Sequence, residues 1–280
     1  MAPELLFQRD EYVIVVLLFG LLMLAAEAGY RGGKIIAARQ RVAGKPDELG
    51  TLQGAMIGLL ALLLAFSLQM AVSRFEARRE LMVKEANAIG TAGLRSRMLP
   101  DPDNKVATHL FQSYLAFRLA AFDKPWFSPD AQVARKMAID LQSALWQLAM
   151  QVGKRNPNVV PSGMFITAIG DLIDTAGERD AAQINHVPES VLVLLFLVAT
   201  LTMGLVGYGY GFAGQRDLRA ITITITVIAL VIFLIIDLDR PERGLIAVGN
   251  QNLLELRDNP GWLEPPDASS ASPAAISSGR

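Results

Sequence analysis

The sequence contains no cysteine, so disulfides, thiolate metal centres and cysteine nucleophiles are excluded. Histidine is nearly as scarce: His109 and His186 are far apart, and neither belongs to a ligand pattern. A lone histidine is more often a surface or packed residue than a ligand, so no metal site is expected. No strand-linked phosphate loop, nucleophile elbow, zinc-protease helix or dinucleotide fingerprint occurs. The carboxylate pairs Asp171 with Asp174 and Asp101 with Asp103 read as helix faces and loop polarity. No catalytic residue and no cofactor is expected, and the chain is not expected to be an enzyme. A net charge of -1 lacks the basic face that a nucleic-acid partner requires.

What is abundant is apolar sequence. The 280 residues are 52% hydrophobic and 19% charged, an excess beyond what a soluble core needs. Four runs are long enough for membrane spans. They cover about 12–30, interrupted by Glu27, and then 51–73, 190–212 and 219–237. A hydrocarbon core of ~30 Å takes about 20 helical residues, which the second and third supply comfortably. The first and fourth are shorter and lean on their polar ends. Ala26-Glu27-Ala28 resembles a signal-peptidase site, but Glu4, Arg9, Asp10 and Glu11 do not make a positive leader, so a retained helix is expected.

Residues 74–189 read as a water-facing helical domain. In LFQSYLAFRLAAF, Leu110, Tyr114, Phe117 and Ala121 share a face. Asp130 to Gln151 groups Val133, Met137, Leu141, Leu145 and Leu148, with a start after Ser128-Pro129. A last helix, about Met164 to Ile184, turns Phe165, Ile169, Leu172 and Ile173 inward. Loops are marked at 99–104, 123–129 and 154–163. A short C-terminal segment at 238–258, with alternation around Leu245, Ala247 and Gly249 suggesting a strand, precedes a disordered tail at 259–280. The first loop (Arg31, Lys34, Arg39, Arg41, Lys45) and the turn with Arg216 and Arg219 favour a cytoplasmic side for both.

The stretch LLALLLAFSLQMAVSRFEARRELMVKEANAIG, from Leu59 to Gly90, has no helix breaker before its last residue. One helix is therefore expected to cross the bilayer and continue to about Leu94 as part of the polar domain. Within it, Gly50, Gly54 and Gly58 make a small stripe suited to close helix packing. Gln53, Ser67 and Gln69 are polar at membrane depth, either for interhelical hydrogen bonds or for a pore lining. Leu62, Phe66 and Met70 form a bulky stripe, either lipid-facing or core, or a hydrophobic constriction at the centre of an oligomer. In the third span, Val206-Gly207-Tyr208-Gly209 matches part of a potassium-filter sequence, and glycines spaced for helix packing explain the same letters. Asp237 and Asp239 are candidates for ion pairing with Arg74, Arg78 or Arg240.

Residues 50–100 together with DLDRPERGLIAV (237–248) resemble the bacterial bestrophin-like membrane family, long catalogued as a domain of unknown function. The resemblance is carried by Arg74, Arg78 and Arg79 at the exit of the second span, by Glu85, Asn87 and Arg95, and by Asp237, Asp239, Arg240 and Pro241. It implies similarity to bestrophins, which are pentameric anion channels whose second helix lines the pore with a bulky neck. No acidic cluster here matches a bestrophin calcium clasp. The expectation is an all-α, multi-pass protein of the bacterial inner membrane. It is a homo-oligomer passing small inorganic ions along Gln53, Leu62, Phe66, Gln69 and Met70. The alternative is a non-conducting scaffold or sensor whose helical domain binds a partner.

Overall fold

Every regular element among the described residues is helical. The structure is a computed structural model, and it describes residues 11–39, 46–126, 128–155, 159–240 and 249–263. Four helices are long and apolar enough to cross a membrane: α1 (Glu11–Arg39), α2 (Pro46–Ser96), α6 (Glu189–Phe212) and α7 (Leu218–Asp239). Between α2 and α6 lie α3 (Asp103–Phe122), α4 (Pro129–Arg155), a five-residue π turn and α5 (Met164–Gln183). A short α8 (Gln251–Asp258) follows α7. The residues divide into two compact units, and α2 contributes to both.

The first unit takes in Met1–Glu76 and Asn185–Ala247. Its core is built from residues that recur at three and four. These are Ile14, Leu18 and Leu22 on α1, Leu192, Leu195 and Ala199 on α6, and Ile221, Ile225 and Ile228 on α7. Leu60 and Ala71 of α2 join them. Helices α1 and α6 approach closely enough that side chains would collide with backbone. A Cβ on Gly207 would overlap the Ala26 carbonyl, and one on Gly211 the Tyr30 carbonyl. The fit is reciprocal, since Gly29 and Gly33 lie against the Gly204 and Tyr208 carbonyls. The Val206–Gly209 glycines thus belong to a helix and serve its packing. At Gly214 the turn into α7 takes φ 68°, a left-handed conformation that glycine adopts without strain. Asp217 then caps α7 by accepting from the Ala220 amide at 3.0 Å.

Glu27, which interrupts the apolar run of α1, is paired inside this unit. It accepts from Arg31 at 2.9 Å and from Arg216 at 3.1 Å. Arg216 also lies over the Tyr30 ring at 5.2 Å. The helix accordingly runs on past Tyr30 to Arg39.

The second unit takes in Ala77–Ile184 and Val248–Arg280. Phe111, Tyr114, Leu145, Phe165, Ile169 and Leu172 fill its interior, beside Met82 and Ile89 of α2. Ser128 caps α4, its hydroxyl accepting from the Ala131 amide at 3.2 Å. The inward face of α4 differs from the sequence reading. Val133 and Met137 are exposed, and Ala131, Ala134 and Ala138 are buried in their place, because small residues permit a closer approach. On α3 the inner face likewise turns towards Phe111, Tyr114 and Arg118, leaving Leu110 and Phe117 at its margin. The expected loop at 154–163 ends in the π turn Val159–Gly163. The stretch from Asn259, expected to be disordered, begins with a packed turn. Trp262 there is buried against Gly93, its ring 5.9 Å from Phe111, and its Nε1 donates to the Leu256 carbonyl at 2.8 Å. The possible strand through Leu245 and Ala247, and the tail from 264, lie outside the described residues.

The glycine packing of the first unit gives a direct test. Gly207→Ala is expected to cost about 1–3 kcal/mol through overpacking. Gly20→Ala, whose Cβ meets nothing within 4 Å, should cost nothing. Thermal unfolding of the two purified variants in one detergent would show whether they separate.

Candidate functional site

In the first unit, the membrane half of α2 has two unlike sides. Leu60, Ser67 and Ala71 face the core and are buried. The opposite surface carries Gly50, Gly54, Gly58, Ala61 and Ala65, and beside them Leu62, Phe66, Gln69 and Ser73, all exposed. Phe66 is 64% exposed and Leu62 52%, while Met70, at 36%, lies at the edge. At ~100° per residue the small and bulky stripes are neighbours on one surface. A Cβ on Gly50, Gly54 or Gly58 would meet nothing within 4 Å, so none of the described helices covers this stripe. Gln53 points elsewhere. Its Nε2 donates to the Leu205 carbonyl at 3.0 Å, and its side chain lies on Gly209, which answers its polarity with an interhelical hydrogen bond.

A polar cluster closes the same unit. Arg74 donates to Asn185 Oδ1 at 2.5 Å. Asp237, Asp239 and Arg240, at the end of α7, are all buried. Asp239 Oδ2 accepts from the Val187 amide at 2.9 Å, and His186 Nδ1 lies 3.1 Å from the Asp239 carbonyl. Asp239 thereby fixes the segment that enters α6. Pro241 lies outside the described residues.

The second unit buries a charge network around Glu85, which has no exposed surface. Arg118 Nε approaches Glu85 Oε1 to 2.6 Å, Arg179 pairs with Oε2, and Tyr114 donates to Oε1 at 3.3 Å. Gln142 donates to the Tyr114 hydroxyl at 3.1 Å, and Arg118 reaches Asp180 at 3.0 Å. Burial by itself would push the Glu85 carboxyl up. The Arg118 and Arg179 guanidinium charges outweigh it and hold the group below the usual glutamate value. Burial pushes the Tyr114 hydroxyl above the ordinary tyrosine range. Arg118 is held above its own, because attraction to Glu85 exceeds the desolvation cost.

The remaining motif residues fall in separate places. Arg78 is buried and its Nε donates to the Ala182 carbonyl at 3.2 Å. Arg95 donates to the Met164 carbonyl at 3.1 Å. Arg79 is exposed, and Asn87 borders a shallow groove with Thr91 and Asp171. Sequence reasoning missed the partners of Glu85. The available signal was Arg118, which stands four residues after Tyr114 on a helix whose inward face was already read.

A family model for the Bestrophin-like domain matches residues 20–253. The chain belongs to the bestrophin-like family. Its fold is similar to that of a bacterial bestrophin homologue from Klebsiella pneumoniae. That match has a TM-score of 0.57 at 15% identity and covers 89% of this chain and 99% of the other. A single-residue variant of the Klebsiella protein gives 0.56 over the same coverage. A third solved chain, described as a membrane protein carrying a point substitution, gives 0.57 at 16% identity, over 86% of this chain and 98% of that one. No curated protein matches. The bestrophin-like chain is thus an all-α membrane protein with the bestrophin fold.

Glu85 carries the stability prediction. Its folded pKa is depressed, so its contribution is present above the ordinary glutamate value of 4.5 and is lost as pH falls through the folded value. Glu85→Gln leaves two guanidinium groups without their shared carboxylate and is expected to cost about 3–5 kcal/mol. Melting temperatures from neutral pH downwards should fall more steeply for the native chain than for the variant. Parallel curves would mean that Glu85 carries no such linkage.

Proposed function

We propose that copies of this chain assemble around α2 and conduct small ions across the bacterial inner membrane. The path runs along Leu62, Phe66, Gln69 and Met70. One observation carries the reading: the described residues leave uncovered a membrane-depth surface that mixes a glycine stripe, bulky apolar side chains and the polar Gln69 and Ser73. Lipid accepts the bulky residues but not the amide, which needs a partner or water at that depth. The glycines allow helix backbones to approach closely, and the bulky stripe beside them makes a constriction that gates by excluding water. Gln53 is already hydrogen-bonded to α6, so it belongs to the wall rather than the lining. The bestrophin resemblance implies anions.

The rival reading is a scaffold or sensor whose helical domain binds a partner. It draws on α4, which exposes Ile139, Trp146 and Met150 on its outer side. Ion flux from proteoliposomes separates the two. Purified assemblies of about four or five copies, sized by light scattering, close a ring around α2. Phe66→Ala is then expected to raise flux. Cysteines placed at Phe66 and Gln69 of this cysteine-free chain should react with a soluble thiol reagent. A monomer or dimer, or a correctly sized assembly without flux, supports the scaffold.

A further inference from the structure

At the end of the first unit where α6 turns into α7, cations gather in a fixed arrangement. Glu27, Tyr30, Arg31 and Lys34 stand at i, i+3, i+4 and i+7, so they share one side of α1. Arg216 arrives from the turn after α6, pairs with Glu27 at 3.1 Å and lies over the Tyr30 ring at 5.2 Å. Glu27 therefore holds two guanidinium groups side by side, Arg31 from its own helix and Arg216 from the turn. Each guanidinium carries five N–H donors, and Glu27 accepts from one nitrogen of each. Their side chains stay 74% and 50% exposed. Lys34, one turn beyond Tyr30, is exposed and pairs with no described residue. Asp217, the acid of the adjoining turn, is engaged by the Ala220 amide. Towards the lipid, the same side of α1 becomes apolar and open. Leu24, Gly20, Leu17 and Val13 precede Glu27 by three, seven, ten and fourteen residues, spacings that continue one stripe. The three larger side chains are exposed, and a Cβ on Gly20 would meet nothing within 4 Å.

We propose that Arg31, Arg216 and Lys34 form a headgroup site for an anionic glycerophospholipid, whose acyl chains lie along the Leu24 to Val13 stripe of α1. Guanidinium forks match phosphate oxygens in geometry as well as charge, and two of them set side by side can share one phosphate. Three cations around the single carboxylate of Glu27 leave a positive excess for the lipid to neutralise. Glu27 is the positioning residue, because it aligns the two forks. A soluble phosphate would meet the cations alone, whereas a phospholipid meets the cations and the apolar stripe together. A bound lipid also ties α1 to the turn between α6 and α7. The site stands whether or not the assembly conducts ions.

The test is lipid titration of the full-length protein, purified in an uncharged detergent, followed by native mass spectrometry. Dioleoyl phosphatidylglycerol is compared with dioleoyl phosphatidylcholine, which has the same chains and no net charge. The native protein should bind the anionic lipid about tenfold more tightly. Replacing both Arg31→Gln and Arg216→Gln should abolish that preference, and Lys34→Gln should lower it several-fold. Arg39→Gln, an exposed cation about a third of a turn round the same helix from Glu27, should leave it unchanged. Light scattering verifies that each variant keeps its native size, and Lys34→Gln decides where the double variant disturbs the fold. Glycerol 3-phosphate in large excess, a phosphate without chains, should not displace the lipid. Equal affinity for the two lipids overturns the assignment. So does a preference lost as fully in Arg39→Gln as in Lys34→Gln, which would mean diffuse charge rather than a site. Displacement by glycerol 3-phosphate would make this a site for free anions and overturns the lipid.

Discussion

α2 must keep a single ladder of backbone hydrogen bonds through two solvents. In lipid an unsatisfied backbone group has no water to turn to, so the helix cannot break there. From Leu59 to Ile89 the sequence supplies no proline or glycine at which it could break afterwards. The result is a helix of 51 residues. Once its backbone is fixed, the direction of every side chain follows from position alone. Leu60, Ser67, Ala71, Arg78, Glu85, Ile89, Ala92 and Ser96 are all buried and recur at intervals of three, four or seven. Within each unit these residues make the buried side of α2, apolar in the first and partly ionic in the second.

The membrane helices cannot rely on the hydrophobic effect to find one another, because lipid tails are as apolar as their side chains. Close contact has to supply the attraction. Dispersion contacts are individually tiny and collectively large, and they fade with sub-ångström gaps. Glycines on both α1 and α6 bring backbone against backbone, and each helix supplies carbonyls for the other's glycines to rest on. The stripe on α2 has the same chemistry but meets nothing among the described residues. That contrast between a used and an unused glycine surface is visible only in three dimensions.

Much of the architecture was legible in the residues. The four spans, the helical domain between the second and third, and the unbroken α2 follow from run length, periodicity and missing breakers. So does the start of α4 after Ser128. Less legible were faces on which small residues replace large ones. Val133 and Met137 looked like core, yet the alanines one position away are buried, because hydrophobicity does not report how near a neighbouring helix comes. Trp262 was hidden for a related reason: a Pro- and Ser-rich tail composition outweighed one aromatic residue whose partner is a glycine 169 positions earlier. For the candidate site, Leu62, Phe66 and Gln69 were legible as stripes, and the inward turn of Arg74 and Arg78 was not. A run of arginines reads as basic until the helix register says which of them remain in view.

The Glu85 network raises a question of cost. Removing several charges from water is expensive, and well-packed apolar residues of similar volume would often be as stable or more so. What apolar packing lacks is direction. A seam of leucines and alanines tolerates sliding by a turn or two, since similar side chains would meet similar surroundings. A carboxylate held by Arg118, Arg179 and Tyr114 has one position in which all three reach it, and a displaced Glu85 would be a buried, unpaired charge. The network therefore fixes α2 along its own axis against α3 and α5 of the second unit.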